Sequence, residues 1–232
     1  MNTIAERLAT IRRAVEAAAA ASPHGQAVTL IGVSKRHGPN AIAQGLAAGL
    51  IDFGENYAQE LAEKVDAFVD PPRPRWHFIG PLQSNKAKLV AGAHLIHTVD
   101  RPKVLGKLEA LGVAQDVLVQ VNVAAEPQKA GVTPEGLEDL LARFADLDHV
   151  RCRGLMLIPP RGTPEQSRPH FAALRALRDR FAGTSRPGVD LKELSMGMSA
   201  DFAVAIEEGA TLVRVGTAIF GPRPAAAPSV AG

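Results

Sequence analysis

A lysine stands where the first strongly apolar run of the chain ends. The run from Thr29 to Val33 is typical of a β-strand, and Ser34 and Lys35 follow it ahead of a break at Gly38-Pro39. A primary amine at a rigid strand end can be partly desolvated, which frees its lone pair to attack an aldehyde. Position alone favours a solvated charge, so a second feature must support any chemical role.

Two turns near the other end of the chain supply that feature, because both suit phosphate. In the first, Met198 precedes Ser199, which we expect to cap the next helix and to face an anion with its hydroxyl. In the second, Gly216 permits close backbone approach and Thr217 adds a hydroxyl. Arg214 lies two residues before Gly216, so strand alternation directs both to one face. A capped helix and a tight turn would explain each loop separately.

Short apolar strands alternating with amphipathic helical stretches must position these residues. This pattern predicts one (β/α)8 barrel over residues 1–221, whereas a doubly wound open sheet is disfavoured because no Gly-x-Gly-x-x-Gly follows the first strand. No amphipathic helix follows the last strand, so we expect the N-terminal helix to fill the position of the last outer helix. The Pro/Ala-rich residues 222–232 are predicted to be disordered. The eight predicted strands are Val28 to Val33, Ile51 to Phe53, Trp76 to Ile79, His94 to Val99, Val117 to Val123, Cys152 to Leu157, Leu191 to Leu194 and Thr211 to Val215.

Composition narrows the possible partners. With 232 residues, 46% of them hydrophobic, and a net charge of +2, the chain suits a single domain. It has no basic stripe for nucleic acid, and neither a polybasic patch nor an apolar segment long enough for a membrane. Cys152 is the only cysteine, which excludes an intrachain disulfide and a cysteine-rich metal site and favours a reducing compartment. Because Met1 to Ala21 lacks the features of a signal peptide, we expect a cytoplasmic protein.

An amine at strand one and a phosphate site at strands seven and eight suggest a ligand that carries both an aldehyde and a phosphate. In a closed barrel the first and last strands are neighbours, so Lys35 and the two loops can contact one small molecule. Pyridoxal 5′-phosphate (PLP) meets these requirements. A sugar phosphate held as a lysine Schiff base, as in aldolases, meets them equally, and these residues alone leave both open.

Longer motifs carry a family resemblance over about residues 28 to 221. The chain resembles the YggS/PROSC family of pyridoxal phosphate homeostasis proteins, and this implies a PLP fold type III barrel similar to the N-terminal domain of alanine racemase. The motifs occur in the family's order and are Val33-Ser34-Lys35, Phe53 to Glu60, His77 to Lys86, Gly154-Leu155-Met156, Leu194 to Asp201 and Val213 to Gly221.

The resemblance implies a set of cofactor-binding residues and no metal. Lys35 would form the Schiff base, Arg214 would meet the pyridine nitrogen and Asn56 would lie beside the ring, while the phosphate ligands would be Ser199, Gly216 and Thr217, with the backbone of Met198. His77 lies in an apolar strand, where a packed, hydrogen-bonded imidazole is expected rather than a ligand. The segment Arg36 to Pro39 departs from the short Thr-Lys-Pro-like turn of many relatives, which leaves the local loop geometry open.

Three functions are compatible with these features. A PLP homeostasis protein would buffer and deliver the cofactor, with PLP-dependent apo-enzymes as recipients, little or no turnover, and a monomeric state. A small amino-acid racemase is the main alternative, and it needs a second base opposite the lysine. Tyr57 is the only tyrosine, and its place at a helix start favours a core or capping role. A Schiff-base sugar-phosphate lyase is the third.

Overall fold

Eight parallel strands close into a barrel whose spatial order follows the chain. The structure is a computed structural model, and it describes residues 2–222. Strand β1 pairs with β8 as well as with β2, and Gly32 lies opposite Val215 in the closing pair. The strands are β1 Thr29–Val33, β2 Asp52–Glu55, β3 Arg75–Phe78, β4 Leu95–Val99, β5 Gln115–Gln120, β6 Val150–Met156, β7 Val189–Met198 and β8 Leu212–Val215.

Helices surround this barrel and connect successive strands. They are α1 Ile4–Ala21, α2 Pro39–Ala47, α3 Ala58–Ala67, α4 Ala87–Val90, α5 Pro102–Glu109, α6 Leu137–Ala142, α7 Pro164–Ala182, α8 Phe202–Glu207 and α9 Thr217–Phe220, with 3-10 turns at Ser84–Lys86 and Arg143–Asp146. Within residues 2–222, none of the helices combines the length and apolarity that crossing a bilayer requires. The loops that follow the strands all lie at one end of the barrel, which is where the active and binding sites of such barrels are found.

Helix α1 covers the side of the barrel that the short α9 leaves open. Thr3 and Glu6 form a capping box at its start, and Leu8, which is fully buried, packs toward the barrel. Burial of one such leucine stabilises the fold by about 2 kcal/mol. The helix packs against α8, α9 and α2, and the Arg7 guanidinium donates to the Ile219 carbonyl at 2.6 Å. The prediction that the N-terminal helix replaces the last outer helix is therefore confirmed.

The two faces of the strands bury different kinds of side chain. A large apolar cluster lies between the strands and the helices, and a small one, on the opposite face of the strands, fills part of the barrel interior with Ile31, Leu95, Leu118, Met156 and Leu212. The interior also holds buried polar groups, namely Asp52, His77, His97, Ser195 and Arg214. Buried polar side chains must find partners inside the protein, so this interior is ordered by hydrogen bonds as well as by packing.

The predicted (β/α)8 fold is confirmed, and the alternative of an open sheet is wrong because β1 and β8 are paired. All eight predicted strands are present with shifted ends. The largest difference is at β7, which extends over Val189–Met198 instead of ending at Leu194, with an irregular register against β8 between Ser195 and Met198. The predicted disordered tail lies, apart from Pro222, outside the described residues.

Candidate functional site

A cavity of about 230 Å³ opens at the end of the barrel where the strands terminate. All seven residues that the sequence singled out for cofactor binding line it, so the structure brings the amine, the arginine and both loops together. These residues are Lys35, Asn56, Met198, Ser199, Arg214, Gly216 and Thr217. Val33, His37, Ile79 and Ile158 complete the lining and had not been predicted.

The backbone on both sides of Lys35 is fixed by an acidic cluster. The hydroxyl of Ser34 donates to Glu55 at 2.6 Å, and the backbone N–H of Arg36 donates to Glu60 at 2.5 Å. The buried ammonium of Lys64 donates to both carboxylates, at 2.6 and 2.8 Å, and to the Ser34 carbonyl at 2.9 Å. Lys35 itself is half-buried. Its main chain is therefore held on either side of the residue that faces the cavity.

Glu55 is the most deeply buried member of this cluster. Burial raises its pKa to about 6, although the nearby Lys64 and the hydrogen bond from Ser34 act in the opposite direction. Its second oxygen, Oε2, has no hydrogen-bond partner within residues 2–222. A carboxylate that is buried and only half-satisfied costs free energy when it is ionised, so the cluster beside Lys35 is sensitive to mild acid.

The loop after β7 differs from its prediction in one respect. Ser199 is not the N-cap of the following helix, because α8 begins at Phe202 and its N-cap residue is Asp201. The Asp201 carboxylate accepts from the backbone N–H of Met198 at 2.6 Å, and this hydrogen bond closes the loop. Gly197 has φ +91, and an added Cβ would lie 2.6 Å from the Ala205 Cβ, so the turn requires glycine. Ser199 is thus exposed at the cavity edge rather than engaged in capping.

The loop after β8 passes close to the end of β1. A Cβ added to Gly216 would approach the Val33 carbonyl oxygen to 3.3 Å, so the absence of a side chain allows this approach. Gly216 is also the N-cap residue of α9, whose first residue is the exposed Thr217. The Thr217 hydroxyl and the glycine backbone therefore border the cavity on the side nearest Lys35.

Arg214 reaches the cavity from inside the barrel. It is 4% exposed, and its guanidinium donates to the Ser195 hydroxyl at 2.6 Å and to the Leu157 carbonyl at 3.0 Å. Burial lowers the pKa of this guanidinium to about 10, so it remains a cation at neutral pH. The cavity floor thus carries a fixed positive charge with further N–H groups available.

Asn56 contributes an unsatisfied acceptor. It follows β2, and its side-chain oxygen Oδ1 is buried without a hydrogen-bond partner within residues 2–222. A buried amide oxygen without a donor is costly, so the site suits a ligand that offers one.

Two other residues mentioned from the sequence lie elsewhere. Tyr57 does not line the cavity; the residue is 47% exposed, and the centre of its ring lies 5.8 Å from the Arg36 guanidinium. His77 is buried and hydrogen-bonded, to Asp52 and to His97, which confirms the expectation of a packed imidazole.

His37 reaches the cavity because of the segment that departs from the family pattern. Arg36 has φ 63, a left-handed conformation that reverses the chain directly after Lys35. The His37 ring then packs near the Phe220 ring, with centroids 5.4 Å apart. Nothing in the sequence indicated that conformation for an arginine, and this is why His37 was missed.

Comparison with known proteins points to one family. The family model for the alanine racemase N-terminal domain matches residues 7–224. Among curated relatives, the pyridoxal phosphate homeostasis protein of Aquifex aeolicus is 42% identical over 94% of this chain and 97% of its own length. That of Escherichia coli is 41% identical over 96% and 98%, and that of Pseudomonas aeruginosa is 43% identical over 99% and 100%.

Solved structures agree with this result. PipY of Synechococcus elongatus, solved with PLP bound, is 39% identical and superposes with a TM-score of 0.81 over 94% of this chain and all of the other. Alanine racemase from Corynebacterium glutamicum is 19% identical with a TM-score of 0.66, covering 96% of this chain and 62% of the racemase, and it shows the shared fold alone.

Proposed function

This chain belongs to the family of pyridoxal phosphate homeostasis proteins, within the wider family of alanine racemase N-terminal domains, and from that membership we propose that it binds PLP in the cavity at the strand ends. One observation carries the proposal: the same cavity gathers an amine, a buried guanidinium and two loops with hydroxyl and glycine residues. An aldehyde, a ring nitrogen and a phosphate are the three groups that such a set recognises.

Lys35 is the residue we assign to the aldehyde. Its amine nitrogen would bond to the aldehyde carbon with loss of water, forming a Schiff base. The hydrogen bonds that hold Ser34 and Arg36 on either side keep the lysine directed at the cavity. Rigid placement lowers the entropic cost of forming this bond.

The phosphate we assign to the loops after β7 and β8. Ser199 and Thr217 offer hydroxyl groups, Gly216 lets the ligand approach its backbone closely, and Met198 lines the same edge of the cavity, where its N–H is held by the Asp201 carboxylate. Such contacts to a dianion are charge-assisted and are correspondingly strong. Oδ1 of Asn56 lacks a donor, which fits a ring bearing a hydroxyl group at that side.

Arg214 we assign to the pyridine nitrogen. When bound, PLP supplies an electron-withdrawing ring, and a cation beside the ring nitrogen weakens that withdrawal because it disfavours protonation. Arg214 does not protonate the ring nitrogen, because its pKa of about 10 means that the guanidinium keeps its own proton at neutral pH. This arrangement supports a binding protein with little or no turnover.

The racemase alternative lacks support from the cavity. A racemase needs bases on both faces of the substrate carbon, and Tyr57 lies outside the lining residues. His37 does line the cavity, so exchange of the α-proton remains the reaction to test. We further propose that the protein acts as a monomer in the cytoplasm and that PLP-dependent apo-enzymes receive its cofactor; its single cysteine is buried at Cys152 and suits a reducing compartment.

Absorption spectroscopy tests the proposal. Purified protein mixed with PLP and then desalted should retain a visible absorption band that Lys35→Ala loses, while amino acids incubated with it in deuterium oxide keep their α-hydrogen. Absence of retained PLP in the parent protein would overturn the binding role. Lys35-dependent deuterium incorporation would instead establish the racemase.

A further inference from the structure

A continuous row of buried hydrogen bonds links Arg214 to the opposite end of the barrel. Arg214 donates to Ser195 Oγ at 2.6 Å, Ser195 Oγ lies 2.8 Å from His97 Nδ1, and His97 Nε2 lies 3.0 Å from His77 Nδ1. His77 Nε2 then lies 3.0 Å from Asp52 Oδ1. All five residues are 6% exposed or less, and the bonds join the side chains directly, so water does not complete the row.

The two ends of the row decide how its hydrogens are arranged. Arg214 can only donate. At the other end, burial alone would raise the pKa of Asp52, but hydrogen bonds from His77 and Arg75 outweigh it and lower that pKa, so the carboxylate is ionised and only accepts. His77 must therefore donate through Nε2, which leaves its Nδ1 as an acceptor when the ring is neutral.

His97 transmits this direction to the serine. Burial, together with the charges of His77 and Arg214, lowers the pKa of His97 well below its usual value, so the ring carries one proton. His97 donates through Nε2 to His77, its Nδ1 accepts the Ser195 hydroxyl hydrogen, and Ser195 accepts from Arg214. Each donor has an acceptor, and the hydrogens all point from the cation toward the anion.

We propose that Ser195, His97 and His77 are positioning residues that hold the Arg214 guanidinium in the cavity, with Asp52 as the remote negative charge that fixes their direction. As far as it concerns the cofactor, this inference rests on the proposed function. The row is needed because Arg214 makes only one other hydrogen bond among the described contacts, to the Leu157 carbonyl. Without it the guanidinium could turn away from a bound ring, since a single acceptor leaves its plane undefined.

The surroundings of the anionic end place it on a second surface. The Arg75 guanidinium donates to the other Asp52 oxygen at 2.7 Å, and the His94 ring packs edge-on to His77 with centroids 5.3 Å apart. These four residues line a charged cavity of about 340 Å³, which is distinct from the candidate site and includes Arg153, Asp116 and Lys192. The row therefore spans the barrel, and a change of charge at Asp52 should alter how the Arg214 guanidinium is held.

The tautomer of His97 gives a direct test that needs neither the cofactor nor a variant. Nitrogen-15 NMR of the cofactor-free protein at neutral pH should show a neutral His97 with hydrogen on Nε2 and none on Nδ1, and His77 with hydrogen on Nε2. If both nitrogens of His77 instead carried hydrogen, His97 Nε2 would have to accept a hydrogen bond from His77. The hydrogen of His97 would then appear on its Nδ1. Detection of that tautomer at neutral pH, or of a protonated His97, would overturn the proposal.

Variants of His97 test the consequence for the cofactor. His97→Leu removes both hydrogen bonds and should weaken PLP binding by roughly 10-fold and alter the absorption of the bound cofactor, because Arg214 loses its support. His97→Gln should restore both properties, since its amide can donate to His77 and accept from Ser195. If His97 had a purely structural role, His97→Gln would not restore the spectrum of the bound cofactor.

Matched controls separate this proposal from general effects. Asp116→Asn removes a charge from the same second cavity, where Asp116 pairs with Arg153 at 2.9 Å. It should leave the affinity for PLP and the spectrum unchanged, whereas Asp52→Asn should change the spectrum.

If His97→Leu does not fold, Ser195→Ala takes its place. Folded variants with the parent's affinity and spectrum would refute the positioning role even if PLP binding is established. Failure of the parent to bind PLP would refute the proposed function and leave the NMR result standing.

Discussion

Gly32 on β1 lies opposite Val215 on β8 in the strand pair that closes the barrel. Three residues beyond Gly32 stands Lys35, and directly beyond Val215 stands Gly216, so the amine and the phosphate-type loop leave the barrel side by side. This register converts two sequence motifs separated by almost the whole chain into one site. Every proposal for cofactor binding depends on that closure.

Removal of the Thr217 hydroxyl should weaken PLP binding selectively through its phosphate. Loss of one hydrogen bond to a charged group costs about 1.5–3 kcal/mol, or roughly 10- to 100-fold in Kd. Fluorescence titration of Thr217→Ala with PLP measures the change, and pyridoxal, which lacks the phosphate, should bind the parent and the variant equally. Thr184→Ala, in an exposed loop away from the cavity, is the matched control. Equal weakening for PLP and pyridoxal would contradict the assignment.

Gly216→Ala should destabilise the protein and weaken PLP binding. The new Cβ would press on the Val33 carbonyl at 3.3 Å, and the cost should be about 1 kcal/mol because a strand backbone yields little. Gly106→Ala gives the opposite control, since Gly106 lies within α5 with no atom within 4 Å of the added Cβ. That change should stabilise by about 0.5–1 kcal/mol. Urea unfolding measures both, and a stabilised Gly216→Ala with full affinity would show that close approach is not required.

Glu55 should make stability depend on pH in mild acid. Its pKa rises to about 6 in the folded protein from 4.5, because burial disfavours the charged form. Its contribution to stability is therefore fully present below about pH 4.5 and is lost as the pH rises through about 6. Glu55→Gln cannot lose this contribution. The difference in unfolding free energy between the variant and the parent should therefore shift in favour of the variant by about 2 kcal/mol on going from below pH 4.5 to pH 7.

Urea unfolding of both proteins at several pH values checks this expectation. Glu63→Gln, at an exposed position of α3, serves as the control for the loss of a carboxylate. A pH-independent difference between Glu55→Gln and the parent would mean that Lys64 keeps Glu55 ionised throughout, contrary to the expectation.

The sequence predicted the barrel because each strand is an apolar run bounded by turn residues, and these signals are local. Strand-end motifs likewise predicted Lys35, Ser199, Arg214, Gly216 and Thr217 in the cavity, whereas Asn56 and Met198 were implied by the family resemblance and four further lining residues were missed. Ser199 was assigned to the wrong local role, because β7 continues to Met198 and Asp201 becomes the N-cap residue. A positive φ at Gly197 directs this turn, and residue type alone does not specify it.

The row from Arg214 to Asp52 could not be predicted from local signals. Its members come from five different strands, and their contacts depend on the register and shear of the closed barrel. Alternation within β3 and β4 places His77 and His97 on the inner face, and this is the only local indication of the row in the sequence. The cofactor roles of the cavity residues stay predictions until binding is measured.

The most direct test of cofactor binding is the intact mass of the PLP-loaded protein before and after borohydride reduction, followed by peptide mapping. Reduction makes the bond between lysine and cofactor permanent, so the parent and the surface variant Lys88→Ala should each gain one pyridoxyl phosphate group on the peptide that contains Lys35. Lys35→Ala should gain none. A label on a different lysine, or PLP that is retained yet never trapped by reduction, would contradict the account.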